Sequence, residues 1–276
     1  MNIDIIKNEC IKQGIDSIVK YDEPLKNHTS LRIGGAADVF CSPNNIEDLK
    51  KIVSISKEYN IPFRVIGNGT NLLILDSGIR GLVINLNKGF KKIEFSDKII
   101  KVGAGVSLVY LSKIVSNKEL SGLEFACNVP WVLGGAIINN ASFKGNCMAD
   151  VVQDVTFLTR ENKIGRTSKS NLNFNYRECN LKGKPVVILE VTLLLKKGNK
   201  EEIESKIKQN IEIRKSRQPW DKFSAGSIFK NPPGYYAGEL AEKVGAKGLS
   251  RGKAQVSSKH ANFIINKGGA LAEDIL

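Results

Sequence analysis

Residues 62–71 read Pro-Phe-Arg-Val-Ile-Gly-Asn-Gly-Thr-Asn, a short apolar run followed by a glycine-rich loop. The run Pro62–Ile66 predicts a buried strand, because it is brief, apolar and bounded by a turn signal. The loop consists of Gly67, Asn68, Gly69, Thr70 and Asn71. Glycines let a backbone turn sharply and approach a ligand, and successive N–H groups in such a turn suit an anion such as a pyrophosphate. A tight turn without any ligand would have the same composition.

The loop also argues against two common nucleotide-binding folds. It has neither the spacing of a G-x-G-x-x-G fingerprint nor that of a P-loop. Neither a Rossmann fold nor a P-loop nucleotidase is therefore supported.

Helical and strand-like segments mix irregularly on both sides of this loop. Spacing and start signals predict helices at Ile3–Val19, Ile46–Tyr59, Ser107–Ser116, from Leu133 onward, at Lys200–Arg214, at Tyr236–Val244 and from Gly269 onward. Apolar runs predict strands at Ala37–Cys41, Leu72–Leu75, Leu82–Leu86, Lys92–Phe95, Ile99–Val102, Val155–Thr159, Val186–Leu195 and Ala261–Asn266. Because these segments lack a regular βαβ rhythm, we predict an α+β protein with a domain boundary near Lys197.

The composition narrows the class of protein. The chain has 276 residues, a net charge of +13 and 42% hydrophobic residues. Its lysines are scattered rather than gathered into a stripe with aromatic residues, so we expect no nucleic-acid partner. No apolar run approaches the roughly 18 residues of a membrane span, and the first ten residues lack signal-peptide character, so we expect a cytoplasmic protein without membrane contact.

The cysteines and histidines also indicate a cytosolic protein, and one without a metal site. The five cysteines are widely spaced and odd in number, which is typical of reduced thiols in the cytosol. No CxxC pair occurs, and the histidines are His28 and His260. We therefore predict no metal site.

Four further segments carry polar chemistry. Gly134 and Gly135 fall at a predicted helix start, where free N–H groups and the helix dipole favour a phosphate or the electron-rich edge of a flavin; close helix packing explains the pair equally well. Arg177 follows an aromatic pair and, if buried, its planar fork would suit a carboxylate, although such an arginine is usually on the surface.

The other two segments lie nearer the C-terminus. Ser227, Lys230 and Asn231 place a hydroxyl, a cation and an amide within five residues. Ser227 has no adjacent His or Asp that would mark a nucleophile, but it could donate a proton. His260 precedes an apolar strand, where a structural role is the commoner one.

Together and in this order, these segments resemble the UDP-N-acetylenolpyruvoylglucosamine reductase family. The resemblance runs from about Asp22 to Leu276 and includes the segments Asn27–Gly35, Gly67–Asn71, Gly122–Cys127, Tyr176–Arg177, Gly226–Pro232 and Ala254–His260. It implies a vanillyl-alcohol-oxidase (PCMH-type) FAD-binding fold of two subdomains, at residues 1–196 with a split near residue 70, and a C-terminal α+β substrate-binding domain at 197–276. The absence of an insertion between Arg177 and Lys200 is similar to the shorter subtype.

The same resemblance implies an activity. In the family, NADPH reduces FAD, and the reduced flavin passes hydride to the enolpyruvyl double bond of a UDP-sugar, giving UDP-N-acetylmuramate for peptidoglycan. The implied cofactors are FAD and NADPH, and the implied state is a monomer. Implied FAD-binding residues are Gly67, Asn68, Gly69, Thr70, Asn71, Gly134 and Gly135.

Roles of the remaining site residues follow from the resemblance as well. Ser227 would protonate the enolate carbon, and Arg177 would grip the enolpyruvyl carboxylate. The implied substrate-binding residues are Tyr176, Arg217, Lys230, Asn231 and His260.

Three departures from the family pattern stand out. Trp131 occupies a position where glycine is expected, with the loss of a neighbouring hydroxyl, and residues 139–145 contain less glycine than usual. The family also has a catalytic Glu beyond the helix that begins near Ala270, so we expect a truncated chain in which Glu273 cannot replace it. Alternatives are a degenerate flavin-binding relative with little turnover, and a flavin oxidoreductase of this fold with another substrate.

Overall fold

The computed structural model describes residues 3–276, which divide into two compact units. Unit 1 contains the described N-terminal segment up to Tyr21, then Val39–Gly67 and Gly81–Ile211. Unit 2 contains Asp22–Asp38, Asn68–Arg80 and Glu212–Leu276. Each unit is therefore assembled from non-contiguous segments, while the predicted domains at 1–196 and 197–276 are contiguous and stay a prediction.

Most predicted helices are confirmed. They are α1 (Ile3–Lys12), α2 (Ile46–Glu58), α3 (Leu108–Asn117), α4 (Leu133–Ile138), α5 (Lys200–Arg217), α6 (Ala237–Lys243) and α7 (Ala272–Ile275). Ser107 caps α3 as predicted, since its side chain accepts from the Tyr110 N–H. Acidic residues in the first turn of α5 and basic residues in its last turn complement the helix dipole.

The strands are short and distributed over several sheets. They are β1 (Val19–Pro24), β2 (Ala36–Cys41), β3 (Phe63–Ile66), β4 (Ile79–Asn85), β5 (Ile93–Ser96), β6 (Ile99–Gly103), β7 (Leu120–Ser121), β8 (Ser142–Phe143), β9 (Asn146–Cys147), β10 (Val152–Thr159), β11 (Ile164–Ser168), β12 (Val186–Leu194), β13 (Lys196–Lys197), β14 (Phe223–Ser227), β15 (Ser250–Arg251), β16 (Ala254–Val256) and β17 (Phe263–Asn266). Mixed helices and sheets without a βαβ repeat confirm the α+β class.

Unit 1 is organised around a five-stranded sheet and a large apolar core. The sheet has the order β11-β10-β12-β6-β5, and its pairings are antiparallel. Within the same unit, β3 runs parallel to residues 82–85 of β4, with Phe63 opposite Leu82. Residues from α2, α3, α4 and the central strands form one continuous buried cluster. Burial on this scale is the main stabilising contribution to the unit.

Unit 2 has a small core and depends more on polar contacts. Its sheet has the order β14-β17-β16-β15, and its buried cluster is mostly alanine. The buried Asn266 side chain donates to the Leu31 carbonyl and accepts from the N–H groups of Gly268 and Ala270. Asp76 accepts from the Ala272 N–H at 2.9 Å. The buried Asn266 amide and the Asp76 carboxylate thus hold together segments that lie far apart in the chain.

Several sequence predictions are corrected. No strand forms at Leu72–Leu75; the Leu75 carbonyl instead accepts from Gly35 and Gly78 in a turn. The first helix ends at Lys12 rather than Val19, because Gly14 adopts a left-handed conformation with φ of 68°. β3 lies at a sheet edge and only its Ile66 is buried, so the buried strand predicted there is mostly half-exposed or exposed.

Two further observations concern membranes and thiols. Across residues 3–276, none of the helices is both long and apolar enough to span a bilayer. The five cysteines are reduced, and burial raises the pKa of the Cys10 thiol. A raised pKa leaves little reactive thiolate at neutral pH.

Candidate active site

The glycine loop begins in unit 1 against the segment that precedes α4. A Cβ at Gly67 would lie 2.4 Å from the Val132 Cγ2 methyl group, so a larger residue would force Val132 to move. The buried Asn85 amide donates to the Gly67 carbonyl at 3.0 Å. The structure thus brings the start of the loop and the Val132 segment together, as a shared binding site requires.

Gly69 lies in unit 2 and is held by a different set of contacts. Its φ is 60°, and an added Cβ would overlap the His28 carbonyl oxygen. The Gly69 carbonyl accepts from the Ser30 N–H at 3.2 Å. The residue is buried, yet its own N–H donates to no acceptor among the described residues. A buried donor without a partner indicates a place for an acceptor atom of a ligand.

The two glycines of α4 serve different purposes. Gly134 packs close to Ala104, where an added Cβ would come within 3.2 Å of the alanine Cβ, and its N–H donates to the Ala104 carbonyl. Gly135 faces open space, and its N–H has no acceptor within residues 3–276. The helix start therefore offers one free donor on an open face, rather than the several that its position suggests.

Arg177 is presented on a strained turn. Its φ is 61°, which is unusual for a residue with a side chain. The turn is closed by hydrogen bonds between Asn175 and Glu178, and the Asn140 amide donates to the Asn175 carbonyl at 3.1 Å. The guanidinium forms no ion pair with a carboxylate of the described chain. Backbone strain of this kind persists where surrounding contacts fix it, often at functional sites.

Two aromatic rings contact the guanidinium instead. Its central carbon lies 5.7 Å from the centroid of the Trp131 ring and 6.0 Å from that of Tyr176. Aromatic faces attract a cation at about 6 Å but leave its planar edge open for a carboxylate.

Ser227 stands directly after a bulge in unit 2. The pairing of β14 with β17 is irregular between Ser224 and Ser227, and Gly226 in this interval has φ of 80°. Bulges re-aim the following side chain and are common beside active sites. Ser227 pairs with Phe263 through its backbone, while its residue surface is exposed.

His260 is half-buried and held in one tautomer. Its Nδ1 accepts from the Asn262 N–H at 3.2 Å, so a neutral ring carries its proton on Nε2. Its ring packs on that of Phe263, and an added Cβ at Gly238 would come within 2.6 Å of its Cε1. Burial, and then the charge of Lys247, hold the pKa of His260 below its ordinary value.

The other predicted substrate residues lie in unit 2, apart from Tyr176. Lys230 is exposed, and Arg217 is the last residue of α5. The side-chain oxygen of Asn231 accepts a hydrogen bond from the Ala237 N–H at the start of α6. Tyr176 is 52% exposed beside Arg177 in unit 1. Within unit 2, Ser227 and His260 both contact Phe263, through strand pairing and ring packing respectively, while Asn231 is fixed at the start of α6.

Two buried asparagines support these residues and were missed by the sequence analysis. Asn262 accepts from the Phe229 N–H at 2.8 Å and donates to the Phe229 carbonyl at 3.0 Å, which fixes the strand end after Ser227. Asn140 supports the Arg177 turn and also accepts from Ala149. The proximity of Asn262 to His260 in sequence was a usable signal, whereas nothing near Asn140 indicates its distant partner.

Comparison with known proteins places the chain in a family. Residues 37–168 match a family described as an FAD binding domain, and residues 218–276 match the C-terminal domain of UDP-N-acetylenolpyruvoylglucosamine reductase. The reductase of that name from Caldanaerobacter subterraneus is 44% identical over 97% of this chain and 87% of its own length. This chain is a member of the UDP-N-acetylenolpyruvoylglucosamine reductase family.

Other relatives agree and define the fold. The Bacillus subtilis protein of the same name is 42% identical over 92% of this chain and 84% of its own length. The crystal structure of the Thermus caldophilus reductase aligns with a TM-score of 0.82 at 35% identity, covering 93% of this chain and 90% of that one. Chitooligosaccharide oxidase shares the fold alone, with a TM-score of 0.54 at 15% identity over 69% of this chain and 43% of its own. The predicted family and vanillyl-alcohol-oxidase type of fold are confirmed.

Proposed function

We propose that this chain catalyses the FAD-dependent, NADPH-consuming reduction of UDP-N-acetylenolpyruvoylglucosamine to UDP-N-acetylmuramate. The observation that carries the proposal is the Arg177 guanidinium, held by two aromatic faces and with no carboxylate partner in the described chain. A cation of this kind, with an open planar edge, suits the enolpyruvyl carboxylate. The relatives named above carry this activity in their names.

The glycine segments fit FAD. Gly69 and Gly135 each offer a backbone N–H without an acceptor in the described chain, and an added side chain at Gly135 would meet only open space. A backbone donor of this kind suits an acceptor oxygen of the cofactor, and the family resemblance implies Gly67–Asn71, Gly134 and Gly135 as FAD-binding residues. When bound, FAD supplies the hydride chemistry that protein side chains lack.

Arg177 and Ser227 act on the substrate's reacting group. Hydride addition to one carbon of the enolpyruvyl double bond moves its electron pair onto the carbon beside the carboxylate. Arg177 pairs with that carboxylate and stabilises the charge that spreads onto it. Ser227 Oγ–H then donates the proton that completes the new C–H bond, and the serine regains a proton from solvent.

The remaining polar residues bind the UDP-sugar. Lys230 and Arg217 are exposed cations suited to the diphosphate. Asn231 supplies an amide, and neutral His260 supplies its Nε2–H as a hydrogen-bond donor. Tyr176 lies beside Arg177 and contacts the same part of the substrate.

We further propose how this activity is organised. Residues 1–196 form the FAD-binding domain, whose Tyr176 and Arg177 also contact the substrate, and residues 197–276 form the C-terminal substrate-binding domain. The enzyme acts as a cytoplasmic monomer in peptidoglycan precursor synthesis, with NADPH and the UDP-sugar as its small-molecule partners.

The test is a stepwise titration. The purified chain is reconstituted with FAD, and we expect one non-covalent flavin per chain by absorbance. NADPH is then added anaerobically, followed by UDP-N-acetylenolpyruvoylglucosamine, and we expect bleaching and then recovery of the flavin band. A chain that fails to retain FAD, or a bleached flavin that the UDP-sugar does not restore, would reject the proposal.

A further inference from the structure

Trp131 is the rigid partner of the Arg177 side chain. The Trp131 carbonyl accepts from the Leu108 N–H at 2.9 Å, and the next residue, Val132, bridges to Ser107. The indole packs half-buried against the core of unit 1. Tyr176, the other ring beside the guanidinium, is 52% exposed and shares the Arg177 turn. The fixed surface for the guanidinium is therefore the indole.

The Arg177 guanidinium can contact the indole and a substrate carboxylate at the same time. An indole attracts a guanidinium through the flat face of the cation, whereas a carboxylate pairs with its edge through two parallel N–H groups. Because the Arg177 guanidinium lies over the indole and pairs with no carboxylate within residues 3–276, its N–H groups stay available, and the side chain loses less rotational freedom when the substrate carboxylate arrives. The backbone conformation of Arg177 sets the direction of its Cα–Cβ bond, and the indole contact sets the position of its guanidinium.

We propose that Trp131 is a positioning residue, which holds the Arg177 guanidinium so that its edge faces the substrate carboxylate. The inference deepens the proposed function and rests on it. Trp131 occupies a position where the family resemblance implies glycine, so this chain would orient its arginine by a contact that glycine cannot supply.

The first test measures the contact without cofactor or turnover. The chain has two tryptophans, so Trp220→Phe leaves Trp131 as the only indole. Adding Arg177→Met to that variant should shift the emission maximum, because the charge against the ring is removed. An unchanged emission spectrum would overturn the proposal, whether or not the chain proves to be a reductase.

The second test follows the consequence for the substrate. With FAD bound, Trp131→Leu should slow reoxidation of the flavin by the UDP-sugar by about two- to thirtyfold, the range for losing one cation–π contact. Trp131→Phe, which keeps an aromatic face, should lie between Trp131→Leu and the unchanged chain. Reduction by NADPH should change less than twofold in either variant.

The chain contains a matched control. Arg214 lies 5.8 Å from the ring centroid of Trp220 in unit 2, so Trp220→Leu removes a similar pair from elsewhere. That variant should keep both half-reactions. Wild-type reoxidation in Trp131→Leu, or an equal loss in Trp131→Leu and Trp131→Phe, would overturn the positioning role. If the unchanged chain cannot reduce the UDP-sugar at all, the proposed function fails, and the emission test still decides whether the contact exists.

Discussion

Replacing Arg177 with lysine should separate the two halves of the reaction. Lysine keeps the positive charge but loses the planar fork that pairs two N–H groups with a carboxylate. The substitution should not change the backbone conformation, because arginine and lysine are equally strained at φ of 61°. The change therefore isolates the guanidinium itself.

The size of the effect follows from the contacts of Arg177. A charge-assisted hydrogen bond contributes about 1.5–3 kcal/mol, which corresponds to roughly ten- to a hundredfold in rate. The guanidinium has no ion pair to lose within residues 3–276, so the folded protein should keep nearly all its stability. We expect this loss in the substrate half-reaction and less than a twofold change in flavin reduction by NADPH.

Stopped-flow absorbance at the flavin band measures each half separately. Arg160→Lys is the matched control, because Arg160 is also in unit 1 and its guanidinium donates to the Asn60 side chain at 3.0 Å and to no carboxylate within residues 3–276. It should behave as the unchanged chain does. Equal losses in both half-reactions of Arg177→Lys would refute the reasoning and assign Arg177 a structural role, or a role in NADPH binding.

Three further predictions follow from the site. Ser227→Ala should slow flavin reoxidation by the UDP-sugar by about 10²–10⁴-fold, the usual contribution of a general acid, while flavin reduction by NADPH stays within twofold in stopped-flow measurements. Folding lowers the pKa of His260, so as the pH falls below about 6.5 the unfolded chain binds a proton at this residue before the folded chain does. The free energy of unfolding, measured in urea, should therefore decrease as the pH is lowered from 7.5 to 5.5. The decrease should be smaller in His260→Gln. Gly69→Ala should weaken FAD binding at least tenfold by flavin fluorescence, since its Cβ overlaps the His28 carbonyl, whereas Gly183→Ala, with a similar φ of 80° and open space, should bind FAD normally. Equal FAD affinity in the two glycine variants would show that loop geometry at Gly69 is unimportant.

Local signals in the sequence predicted much of the fold. The Ser107 cap, the helical spacing of α2 and α3, and the apolar runs of β6, β10 and β12 depend on near neighbours in the chain. Strand β11 was not predicted, because it is a short sheet edge with little apolar content. The Leu72–Leu75 run failed for the opposite reason: its apolar side chains resemble a strand, but its backbone is used by turns at Gly35 and Gly78.

The candidate site was only partly accessible to sequence reasoning. The sequence identified three loop and helix glycines only by residue type, and the structure shows that their surroundings differ. A Cβ would meet the Val132 side chain at Gly67, the His28 carbonyl at Gly69 and open space at Gly135. Trp131 and Arg177 are in contact although they lie 46 positions apart in the chain, and no local sequence pattern encodes such a pairing. Asn140 was missed for the same physical reason.

The central claim is tested most directly by the stoichiometry of turnover. The FAD-loaded chain is mixed with NADPH and UDP-N-acetylenolpyruvoylglucosamine, NADPH consumption is followed by absorbance, and the products are identified by mass spectrometry. The account predicts one UDP-N-acetylmuramate formed for each NADPH oxidised, with no sustained oxidation when the UDP-sugar is omitted under anaerobic conditions. NADPH oxidation without a gain of two hydrogens in the UDP-sugar would contradict it.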